Sequence, residues 1–176
     1  MSQNDAVPPH PLTAQDEKFR RWLLDQAEEH GHAIVQVAGG QDYAPYAFTV
    51  GAWRRFGVAE AVVVGLPAEM SQVLLSAYVT QAGEGERFLA GTVYQGFFEG
   101  VPVVFETVAK VWYKEYLGSA FLLYAKGDFP ALQIIVPTPQ GNWPWQADAP
   151  VGFRAWQKLL TVSGRPETWT SGVNGP

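Results

Sequence analysis

The chain of 176 residues is 47% hydrophobic and 16% charged, the balance of one ordinary globular domain rather than of a disordered or fibrous chain. Its formal charge of −5, with no basic stripe beyond Lys18-Phe19-Arg20-Arg21 and Arg54-Arg55, argues against a nucleic-acid partner. The absence of cysteine excludes disulfides, thiolate nucleophiles and Cys-type metal sites, and no apolar run approaches the roughly 20 residues of a membrane helix.

Residues 1–12 are polar and Pro-rich and read as a flexible lead, with no basic-then-apolar leader pattern, so a cytoplasmic setting is expected. Thr13 and Asp16 have capping-box-like spacing, and Phe19, Trp22, Leu23 and Ala27 recur at helical intervals up to Gly31. This predicts an amphipathic helix over 13–30. Three β-rich runs follow, at 32–38, 46–52 and 60–66, with RRFG at 54–57 short enough for a hairpin or tight corner between the last two. Met70, Val73, Leu74, Ala77 and Tyr78 predict a helical stripe over 68–82, stopped by Gly83 and Gly85.

Strands are predicted at 92–98 and 101–109, joined through Glu99-Gly100, with Pro102 suggesting an edge position. Residues 113–125 fit helix or strand, with the spacing of Tyr113, Tyr116, Leu117, Ala120 and Tyr124 favouring helix. A further strand at 130–136, a short helix at 153–160 and a loose tail from 163 complete the chain. Locally paired strands with helices interspersed predict an α+β fold. The expected architecture is a single domain over 13–162, with about six mostly antiparallel strands and amphipathic helices packed on them.

Set in that order, YAFTVG at 46–51, Phe56-Gly57, Glu60 and Gly65-Leu66-Pro67 resemble the signature of an uncharacterised bacterial family, domain of unknown function 4262. Later matches are Leu132-Gln133-Ile134, the Gly141 to Trp145 turn, and Gln157 to Leu160. The resemblance spans roughly 18–162 and implies no established activity. Where the family pattern has His-Pro this chain has Val58-Ala59, and where it has Trp-Pro-Asp this chain has Val136-Pro137-Thr138. Any chemistry carried by that His and Asp in relatives is therefore not expected here.

Candidate chemistry is sparse. Thr49 and Gly51 end a strand beside Arg54 and Arg55, a grouping that could hold a phosphate or carboxylate or could be a plain turn with two solvated arginines. His30 and His32 have metal-like spacing, but His10 is the one other histidine. A helix-terminal cationic His is therefore the simpler account, and no metal or cofactor is expected. Glu60, Glu99, Glu106 and Asp128 are the interior carboxylates; alternation puts Glu106 opposite Phe105 and Thr107, facing water. No nucleophile elbow, Walker loop or dinucleotide fingerprint is present.

Gln133, the lone polar residue of its strand, must either clamp neighbouring backbone or face a polar pocket. Trp143 and Trp145, spaced by Pro144, favour an aromatic lid over a ligand lip. Two functional classes result. The first, leaning away from catalysis, is a protein-interaction module of accessory, regulatory or immunity type, with a protein partner or homodimer and neither nucleic acid nor membrane. The second is a small-molecule site, of a binding protein or an enzyme, bounded by Tyr46, Thr49, Arg54, Arg55, Gln133, Trp143 and Trp145.

Overall fold

In the computed structural model, residues 14–176 are described. The lead at 1–12, Thr13 and His10 lie outside them. Helix α1 (Ala14–His30) leads to strand β1 (Ala33–Val37), which pairs antiparallel with β2 (Tyr46–Val50). Gly51, at φ 114°, ends β2, and the expected tight corner is a one-turn helix, α2 (Ala52–Phe56), closed by Gly57 at φ 68°. Both angles lie in the left-handed region that favours glycine. Strand β3 (Glu60–Val64), helix α3 (Ala68–Gly83) and the hairpin of β4 (Val93–Phe98) and β5 (Val101–Thr107) follow. Strand β6 (Ala131–Ile135) inserts beside β3, so the sheet order is β1-β2-β3-β6-β5-β4. The β3–β6 pair is parallel and the others are antiparallel, which makes the fold α+β with a largely antiparallel six-stranded sheet.

The register sorts the side chains into two faces. Ala47, Ala61, Val63, Val103, Phe105 and Ile134 lie under α3 and contribute to one core. Val35, Phe48, Val50, Val62 and Val64 face the other way and receive Leu23 of α1, Tyr113, Leu117 and Leu160. Farther along that second face, Val104 and Ile135 are covered by Trp143, Trp145, Leu159 and Trp169. Each apolar side chain of this size contributes roughly 1.5–3 kcal/mol when fully buried, so both faces need their covers.

Several local expectations shift. The buried stripe of α3 is Ser71, Leu74, Leu75, Tyr78, Val79 and Ala82, whereas Met70 and Val73 are exposed. The helix is apolar on more than one side, so periodicity alone could not fix its rotation. Residues 113–125, after a 3-10 turn at Lys110–Trp112, form short pieces: one α-turn, α4 (Tyr113–Tyr116), and a 3-10 turn at Gly118–Leu122. Leu117, at φ −130° and ψ 27°, leaves helical geometry and breaks what would be a continuous helix. Strand β5 is interior rather than an edge, but its pairing with β6 begins at Val104, so Pro102 lies beyond the end of that ladder. The last helix, α5 (Phe153–Trp156), is shorter than expected, and residues 157–160 carry no regular structure.

Candidate functional site

Glu60 opens β3 and is fully buried, with five donors converging on its carboxylate. The Thr49 hydroxyl donates to Oε1 at 2.8 Å, the Tyr124 hydroxyl to Oε2 at 2.5 Å, and the amides of Gly51, Ala52 and Trp53 donate at 2.9, 3.1 and 3.2 Å. Those amides are the otherwise unsatisfied donors at the start of α2, so Glu60 caps the helix from a distant point in the chain. Burial pushes its carboxyl above the usual carboxylate range, while the donors from Tyr124, Thr49, Gly51 and Trp53 pull the other way. Tyr124 accepts from the Arg54 amide at 3.1 Å, and its own hydroxyl is raised by burial and by the neighbouring Glu60 charge.

This mount places the first group of expected site residues. Thr49 is buried in the network rather than open to a ligand, and it also accepts from the Ala61 amide at 2.9 Å. Arg54 and Arg55 project from α2 to the surface beside Gly31, around a small cavity of about 270 Å3 that Glu28 also lines. The Arg55 stem crosses Gly31 so closely that a Cβ there would lie 2.8 Å from Cγ. Tyr46 packs on the second face, in the same core as Tyr124, donating to the Glu115 carbonyl at 3.0 Å with its ring 4.9 Å from that of Tyr116.

The second group belongs to a different assembly. Gln133 sits mid-sheet between Val62 and Glu106 in register. Its amide donates to the Lys158 carbonyl and accepts from the Leu160 amide, both at 2.8 Å, so of its two expected roles it performs the backbone clamp. Gln157 repeats the device on Val136, accepting at 3.0 Å and donating at 2.7 Å. Glu106 is buried instead of facing water. It accepts from the amides of Thr107, Glu167 and Thr168 at 2.7, 2.9 and 3.1 Å, and from the Thr168 hydroxyl. Residues beyond 163, read from sequence as a loose tail, thus carry two amides bound to Glu106, and Trp169 is buried. Trp143 and Trp145 stack at 5.5 Å and 8°, with Trp169 edge-on to Trp145 at 5.6 Å. They are a lid over Val104 and Ile135.

Sequence reasoning named Glu60 and Glu106 without their partners, and it missed Tyr124, Gln157 and Trp169. A carboxylate within an apolar strand was the available signal. His30 pairs weakly with Glu29 at 3.9 Å, and His32 is partly buried with its Nδ1 unpartnered. Among the described residues no group of three metal-ligating side chains gathers, and no helix is long and apolar enough to cross a membrane.

One further surface is open. Between α1 and β1 lies a cavity of about 560 Å3, walled by Phe19 and Trp22 of α1 and Ile34 and Val35 of β1, with Gln15, Lys18 and Gln36 at its polar margin. Phe19 and Trp22 are 38% and 42% exposed, their rings 5.8 Å apart. Strand β1 ends the sheet on this side.

No match was found among curated proteins or solved structures. The family described as Domain of unknown function (DUF4262) matches residues 26–150, most of the chain. The signature at 46–67 and the Gln133 to Trp145 region both fall inside that match, and the protein belongs to the DUF4262 family.

Proposed function

We propose that the protein is a non-catalytic interaction module, of accessory, regulatory or immunity type, that binds an extended apolar segment of a partner protein along β1. The observation carrying this reading is the apolar groove between α1 and the edge strand, where Phe19 and Trp22 stand exposed beside unpaired strand backbone. An edge strand offers backbone donors and acceptors to an incoming strand, and a neighbouring aromatic pocket takes its alternate side chains. Glu60 and Glu106 spend their acceptor capacity inside the protein, which supports a role without acid–base chemistry. A bacterial, cytoplasmic setting belongs to the same proposal.

A photo-reactive amino acid placed at position 19 tests it in cells, with an equivalent label at exposed Val173 as control. The expected outcome is one heterologous protein joined from position 19 and not from 173. Trp22→Ser should weaken the purified complex by about 2 kcal/mol or more while leaving the melting temperature unchanged. Cross-linking to a second copy of the chain would turn the surface into a homodimer interface, and cross-linking unaffected by Trp22→Ser would remove the groove from the account.

A further inference from the structure

A second recess, of about 680 Å3, lies on the β5–β6 side of the molecule, away from the α1–β1 groove. Its walls are the turn after Trp145, Arg154 of α5, and the segment carrying Arg165, Trp169 and Thr170. The volume falls in the range of roughly 300–1,000 Å3 typical of small-molecule sites. Everything in it from Arg154 onward lies beyond residues 26–150, so this recess is built largely by the part of the chain outside the family match.

Two guanidinium groups, Arg154 and Arg165, line it together with one carboxylate, Asp148. Arg154 is held against the wall by an Nη2 bond to the Trp145 carbonyl at 3.0 Å, which fixes the guanidinium fork. Neither Arg154 nor Arg165 forms an ion pair with a described residue, although Asp148 also lines the recess. Trp169, 5% exposed, has a buried indole Nε1 with no acceptor, an uncommon condition in a folded protein. Two guanidinium groups lining one concave site match an oxyanion far better than a neutral ligand.

We propose that this recess binds a small organic oxyanion, a phosphate ester or carboxylate on a hydroxylated body of sugar size. Arg154 and Arg165 grip the anionic group, and the Thr170 hydroxyl and recess floor accommodate the rest. The site is independent of the α1–β1 groove, so its failure leaves the interaction reading untouched.

Calorimetric titration of the full chain at low ionic strength, with glucose 6-phosphate, gluconate and glucose as probes, tests the inference. The expected result is saturable binding of at least one of the two anions, none for glucose, and about tenfold weaker binding in Arg165→Gln. Which anion binds distinguishes phosphate from carboxylate. The Arg165 side chain is exposed and its backbone bonds survive the substitution, so an unchanged melting temperature separates lost binding from lost fold. No saturable heat from either anion, or equal binding by wild type and Arg165→Gln, overturns the proposal.

Discussion

Each hydroxyl that meets Glu60 also accepts one bond elsewhere, Thr49 from the Ala61 amide and Tyr124 from the Arg54 amide. Both donate their protons to the carboxylate, beside three amide hydrogens that cannot turn away. A carboxylate satisfies all five, whereas a carboxamide would turn an NH2 against donors. Glu60→Gln should cost about 3 kcal/mol in urea unfolding at neutral pH, and Thr49→Val about 1–2 kcal/mol. A loss below about 1 kcal/mol for Glu60→Gln would show that the network contributes little. His32 gives a pH-dependent counterpart. Burial chiefly lowers its imidazole below the ordinary 6.5, the nearby His30 charge adds to this, and a backbone bond opposes it. The folded state then binds fewer protons than the unfolded one, so this contribution is full above pH 6.5 and is lost progressively as pH falls from there through the lowered folded-state value. Melting curves should show wild type losing stability over that interval and His32→Asn losing less.

At the scale of elements, the segment after α5 has little regular structure of its own and depends on three buried polar side chains. Gln133 and Glu106 hold residues 158–168 against the sheet through that segment's backbone, and the Gln157 side chain reaches from the segment to the Val136 backbone. Gln133→Leu would leave the Lys158 carbonyl and Leu160 amide without partners, at a cost of about 1–3 kcal/mol, with faster hydrogen exchange concentrated in 158–168. Trp169→Ala removes the edge-on partner of Trp145 and opens a cavity over Ile135, so it should cost about 3–5 kcal/mol by the same unfolding assay. If Trp169→Ala is neutral, the segment does not seal the second face. Helix α3 needs no such clamps, because Leu74, Leu75, Tyr78 and Val79 bury directly against the sheet.

Across the whole molecule, one sheet carries covers on both faces, and neither cover has a core apart from it. Unfolding should therefore be a single cooperative transition, with tryptophan fluorescence and far-UV circular dichroism giving coincident curves. Separate transitions would mean that the Trp143–Trp169 side opens on its own. Two of the open surfaces differ in character: an apolar groove at the β1 edge and an arginine-lined recess beside the tryptophan lid.

Much of this fold is written locally. β-branched and aromatic content between Gly and Pro punctuation placed all six strands near their positions, because such side chains pack well on a pleated surface. Gly51 and Gly57 marked the ends of α2, although the corner was read as a turn and not a helix. The family signature at 46–67 identified the chain as a DUF4262 member. Rotation and partnership were decided only in three dimensions. Met70 and Ser71 are adjacent in sequence, and only the packed sheet determines that Ser71 is the buried one. Glu60 and Tyr124 lie 64 positions apart, and Glu106 and Thr168 lie 62 apart, separations at which no sequence period signals contact. For the same reason the expected site divided: Thr49 and Arg54 belong to the Glu60 mount, and Gln133 and Trp145 to the C-terminal cover. A buried polar group needs a partner, a requirement that sequence states plainly, but chain topology chooses the partner.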